Sequence, residues 1–208
     1  KNAGSALNSG KDNVFLGPDA GSAATTGDWN IAIGGSIFGA TLTGDFNIAI
    51  GQASGLAVTS GNKNIMIGHD GGAAVTTASG SVFVGEAAGS TVTTGNNNIA
   101  VGNDALSGAT TTGDNNIAIG VSAGDALTSG NKNVMMGLNA GSAINTAARN
   151  TIIGANAGVA ITSGGSNTII GEQAGESATT TGDLVLIGKE AGTAIDGTNA
   201  NGTIIIGY

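Results

Sequence analysis

The chain has no cysteine, a single proline, aromatic residues at 3% and charged residues at 10% of its 208 positions. Without cysteine there is no disulfide framework and no thiolate chemistry. Six Lys and Arg against fourteen Asp and Glu set the net charge at -8. A binder of nucleic acid needs a basic stripe, and an anionic membrane surface needs a basic patch, so neither is expected as a partner. No apolar run approaches the length that crosses a bilayer as a helix, and direct membrane insertion is not expected. Catalysis has little material: His69 stands alone and the carboxylates are scattered, so the chain reads as non-enzymatic, with no catalytic residues and no cofactor.

What is abundant is glycine, 39 residues of it, together with a 40% apolar fraction made of small and β-branched side chains. That combination belongs neither to a charge-rich disordered chain nor to a flexible linker. The pentapeptide NIAIG occurs at 30–34, 47–51 and 116–120, with variants such as NIMIG at 64–68 and NIAVG at 98–102. The glycine that closes each such block falls at 17, 34, 51, 68, 85, 102, 120, 137, 154, 171, 188 and 207. The spacing is 17 residues, except for 18 between 102 and 120 and 19 between 188 and 207.

A fixed period of this length is the mark of a stacked repeat array. Each repeat holds two extended segments, the NIAIG block and a run such as AVTSG (57–61), TVTTG (91–95) or ALTSG (126–130), separated by glycine turns. The expectation is an all-β solenoid of about twelve 17-residue, two-strand coils, forming a single array over residues 1–208. Glycine at this density and an apolar spacing of two exclude a helical reading.

Side chains alternate along a strand. We assign the second and fourth residues of each block, such as Ile31 and Ile33, to the coil interior and the third residue to the outside. That third column reads Phe15, Ala32, Ala49, Met66, Phe83, Ala100, Ala118, Met135, Ile152 and Ile169, then Leu186 and Ile205, with no polar member. An outward apolar stripe of that length is expected to be covered, either by a second strand or loop of the same chain or, as the short repeat favours, by self-association, which makes these residues the candidate interface of a self-assembled fibre.

The NIAIG block, the following Ala-Gly pair (Ala20-Gly21, Ala88-Gly89, Ala140-Gly141) and the Thr-Thr-Gly turn (Thr25-Thr26-Gly27, Thr93-Thr94-Gly95) resemble the repeats of trimeric attachment fibres. They are similar to the head repeats of YadA-type trimeric adhesins, and more so to repeats of phage tail fibres that often carry a C-terminal intramolecular chaperone. The resemblance implies a parallel homotrimer used for attachment to a glycan or protein receptor, on a virion tail or a bacterial surface. YadA-type head repeats are shorter, and neither neck nor anchor stands in these residues. Both ends read as ordinary repeats, so the expectation is a piece of a longer fibre.

Asparagine opens nine of the twelve blocks, among them Asn30, Asn47, Asn64, Asn98, Asn116 and Asn133. Stacked one coil apart these amides are expected to form a structural ladder. Gly-Asp-x-Asn at 27–30, 44–47 and 113–116 suggests calcium, but Asn replaces Asp in other coils, and no metal site is assigned. Recurrent threonines, such as Thr59, Thr76 and Thr93, raise an ice-binding alternative, weakened because the residue two before is usually Ala. A structural filament without a receptor is the other alternative. The pattern breaks once: Trp29, Phe46 and Lys63 hold equivalent places in consecutive coils and Phe38 replaces a linker glycine, so Trp29, Phe38 and Phe46 form a candidate glycan patch.

Overall fold

In the computed structural model, which describes residues 2–195 and 200–207, the chain is a parallel β-solenoid with one short strand per coil. The strands are β1 Val14–Leu16, β2 Ile31–Ile33, β3 Ile48–Ile50, β4 Ile65–Ile67, β5 Val82–Val84 and β6 Ile99–Val101, followed by β7 Ile117–Ile119, β8 Val134–Met136, β9 Thr151–Ile153, β10 Thr168–Ile170, β11 Val185–Ile187 and β12 Ile204–Ile206. They form one twelve-stranded sheet in sequential order. The register follows the ruler of the sequence: Ile31 faces Ile48 at a separation of 17, Ile99 faces Ile117 across the longer repeat, and Val185 faces Ile204 across the longest.

The second extended segment is not a strand. Its buried residue donates its N–H back three residues to a glycine carbonyl, as in Val75 to Gly72 and Leu127 to Gly124, and so closes a turn. A donor spent inside a turn is lost to the ladder, and the coil-to-coil bonds that the segment does make, such as Ala57 N–H to Ala73 O and Thr59 N–H to Thr76 O, flank that turn without forming a strand ladder. One isolated parallel bridge, Val92 to Thr111, is all that survives of the expected pairing among the described residues.

The sidedness of the strand is the reverse of the expectation. Ala32, Ala49, Met66, Phe83, Ala100, Ala118, Met135, Ile152 and Ile169 are fully buried inside the coils, and Phe15, in the first coil, is half-buried against the same core. None of them lies on an outer interface. The second and fourth residues of the blocks, from Ile31 and Ile33 to Val185 and Ile187, face outward and are partly exposed. The cause is the asparagine that opens the block. It shares a side with the third residue by strand alternation, and its amide must reach a backbone carbonyl across the coil, which carries the third residue inside with it.

Counting each coil from that asparagine, glycine stands at position five with φ near +130°, for example 137° at Gly34 and 124° at Gly51. A Cβ on Gly34 would come within 2.8 Å of the Gly51 carbonyl oxygen, so backbone stacks directly on backbone there. At position nine most coils have a glycine in the left-handed region, where a Cβ would meet the large side chain of the strand: on Gly72 it would lie 2.8 Å from Met66 Sδ and 3.0 Å from Phe83 Cδ2.

Two coils invert that arrangement. Phe38 and Leu106 occupy position nine, both fully buried and both left-handed, with φ of 50° and 52°. Their own strand residues are Ala32 and Ala100, and those of the next coils are Ala49 and Ala118. Each large side chain extends over the glycine of the following coil, Phe38 over Gly55 and Leu106 over Gly124. The interior volume is supplied by the strand in some coils and by the linker in others. Phe38 is thereby a core residue and not part of a surface patch.

This exchange is open to test. Phe38→Gly relieves a strained backbone but empties a core site, and urea unfolding should show a loss of about 3–5 kcal/mol. Adding Ala49→Met, which gives that coil the methionine–glycine pairing seen at Met66 and Gly72, should recover at least half of that loss.

Candidate functional site

The interior edge of the sheet carries the asparagine ladder. Asn30, Asn47, Asn64, Asn98, Asn116 and Asn133 are all fully buried. Asn64 is typical: its Nδ2 donates to Asn47 Oδ1 at 3.1 Å and to the Ala78 carbonyl at 2.8 Å, and its Oδ1 accepts the Ser81 N–H at 3.0 Å. Each of these amides accepts the N–H that opens the next block and satisfies a turn carbonyl, and in Asn47, Asn64, Asn116 and Asn133 Nδ2 also donates to the residue of the preceding block. Where Ser81 replaces asparagine its hydroxyl accepts the Asn98 N–H at 3.2 Å, and the ladder passes through.

A second ladder runs at position sixteen, which sequence reasoning did not find. Asp28 Oδ1 accepts the Lys11 N–H at 2.6 Å, Asp45 Oδ1 accepts the Asp28 N–H at 2.8 Å, and Asn62 Oδ1 accepts the Asp45 N–H at 2.8 Å. Ser79, Asn96 and Asp114 continue the series. Aspartate, asparagine and serine interchange because the position asks only for an oxygen acceptor. The Gly-Asp-x-Asn pattern therefore encodes a backbone contact rather than a set of ligands converging on one point.

A third series belongs to threonine at position thirteen. Thr25, Thr59, Thr76 and Thr93 donate their hydroxyls to the carbonyls of Leu42, Thr76, Thr93 and Thr111 at 3.1–3.4 Å. The outward hydroxyls belong to position fourteen, where Thr26, Ser60, Thr77, Thr94 and Ser129 are exposed.

Position seventeen is left-handed in every coil from Asp12 to Asp183. Small polar residues or glycine suit such a backbone, and a bulky aromatic there is costly. Trp29 and Phe46 nevertheless occupy it, with φ of 60° and 59°, and stand 54% and 51% exposed. Their rings are stacked, with centroids 6.4 Å apart and planes within 3°. They are brought together on one edge of the coil, whereas Phe38, grouped with them in the sequence, lies in the core. On the same edge, several rungs along, Thr112, Asp114, Asn115, Ser129, Asn131 and Lys132 surround a polar depression.

No family model, curated protein or solved structure matches the chain. The class rests on the fold itself: the chain is a repeat protein of the parallel β-solenoid type, with about twelve turns and backbone ladders reinforced by side chains.

The two ladders respond differently to substitution. Asn64→Ala strands the Ser81 N–H and the Ala78 carbonyl in the interior and should lower unfolding free energy by about 2–4 kcal/mol. Asp45→Asn keeps the acceptor and should leave stability within about 0.5 kcal/mol of wild type in the same urea titration. Excess chelator should leave the melting temperature unchanged, and a fall of several degrees would instead assign the aspartates to a metal.

Proposed function

We propose that the chain is a segment of an extracellular attachment fibre, on a virion tail or a bacterial surface, in which three parallel copies pack through the outer faces of their sheets. One observation carries this reading: the second and fourth strand positions form an uninterrupted double row of outward side chains. The rows run from Val14 and Leu16 to Ile204 and Ile206, and every member is apolar except Thr151 and Thr168. None of the chain's charged residues falls on that face.

Twelve rungs at ~4.8 Å and three residues at ~3.3 Å make a face of roughly 500 Å². That is about the largest apolar patch a soluble monomer leaves to water. Two such faces in contact bury about 1,000 Å², the lower end for a specific interface. The partner that fits best is another copy of the same sheet. Its rungs have the same spacing, so in-register packing repeats the same Ile and Val contacts at every coil. The likeness of the repeats to trimeric fibres supports three copies and an attachment role.

Light scattering should give about three times 19.7 kDa for the purified chain. Ile50→Lys with Ile119→Lys, both on the outer face, should yield a folded monomer with unchanged far-ultraviolet dichroism. Ala49→Asp with Ala118→Asp places carboxylates in the core and should abolish folding. A wild-type chain that stays monomeric at micromolar concentration would overturn the assembly.

A further inference from the structure

We propose that the edge formed by positions fourteen, sixteen and seventeen binds a linear, uncharged glycan laid along the rod axis, with Trp29 and Phe46 as its anchor. The proposal deepens the attachment reading by naming a ligand class and a place for it. Four observations converge on this edge.

The aromatic pair is held where a bulky residue costs backbone strain, and it is only half covered, so core packing does not account for it. The parallel rings stand one coil apart and half exposed, and offer apolar ring surface to the C–H face of a pyranose. Beside the rings, Asp28 and Asp45 are pinned through one carboxylate oxygen to the neighbouring coil. The other oxygen meets no protein donor among the described residues, and so stands as an oriented acceptor for sugar hydroxyls. Along the rim run the exposed hydroxyls of position fourteen, beginning at Thr26.

The same edge leads to the polar depression around Asp114, Ser129 and Lys132. Phe46 and Lys132 are five rungs apart, or about 24 Å at the usual strand spacing. A rung of ~4.8 Å is close to the length of one pyranose unit in an extended chain, so successive sugars can meet equivalent positions of successive coils. Charge selects the class. Asp28 and Asp45 border the rings and Asp114 lines the depression, so carboxylates disfavour an anionic sugar at both ends, while the hydroxyls and amides between them, with the isolated cation Lys63, suit an uncharged one. Each single contact is weak, and length along the edge together with copies of the chain would supply the avidity.

Trp29 is the chain's single tryptophan, so its fluorescence reports directly on the anchor. The full chain should be titrated with uncharged β-1,4-gluco-, chito- and manno-oligosaccharides of two to eight units, and with a sialylated oligosaccharide as the anionic probe. The expected result is a saturable spectral change with at least one uncharged series, tightening with length up to about six units. Trp29→Ala with Phe46→Ala, followed by calorimetry, should weaken that series tenfold or more, and Ser129→Ala with Lys132→Ala should weaken only the longer members. Binding of the sialylated probe alone, no response to any uncharged series, or undiminished binding by the aromatic double variant would overturn the proposal. Light scattering on every protein separates the two readings: absence of glycan binding by an oligomeric wild type counts against this site alone, and glycan binding by a monomeric wild type counts against the assembly alone.

Discussion

The amide of the asparagine at the head of each strand is the contact on which the remaining structure depends. A three-residue strand offers few backbone hydrogen bonds, and the corner that follows the long linker would otherwise leave a carbonyl facing the interior. The amide satisfies that carbonyl and at the same time bridges to the preceding rung, as Asn47 does with Gly61 O and Asn30 Oδ1. Because it must point inward to do so, it decides which side of the strand becomes core. The burial of Ala32 and Met66 and the outward display of Ile31 and Ile33 follow from it.

Once the inside is chosen, space is limiting. Backbone stacked on backbone at position five requires glycine, and positions three and nine share one space, so no coil carries a large side chain at both. Whether that side chain comes from the strand, as Phe83 does beside Gly89, or from the linker, as Phe38 does beside Ala32, is a local solution to a common volume. The exchange explains why coils of different composition keep the same rung. It also explains why Phe38 and Leu106 accept a left-handed backbone: the apolar burial offsets the strain.

The outside is divided by the same geometry. The sheet face is apolar and without charge, the edge at positions six and seven gathers carboxylates such as Asp70, Glu86 and Asp104, and the edge before the strand carries hydroxyls, acceptors and the aromatic pair. These are the two surfaces on which the proposed attachment reading rests.

The sequence by itself determined the period, the two longer repeats, the all-β class and the stacking of the asparagines, because each of these is a matter of spacing along the chain. Sidedness was legible too, in principle: an inward asparagine and strand alternation together place the third residue inside, and alanine at Ala32, Ala49, Ala100 and Ala118 signals a confined interior. The weight given to isoleucine as a core residue concealed it, since hydrophobicity alone does not say which of two apolar faces is covered. Tertiary structure decided what spacing cannot express. The N–H of Val75 is consumed in a turn, so the second segment never becomes a strand. Asp45 reaches the backbone of the coil before it, a contact that a sequence shows only as a recurring polar residue. Phe38 and Trp29 look alike as interruptions of a glycine-rich repeat, yet one lies at a position that points into the coil and the other at one that points away, and only the path of the backbone between them separates core from surface.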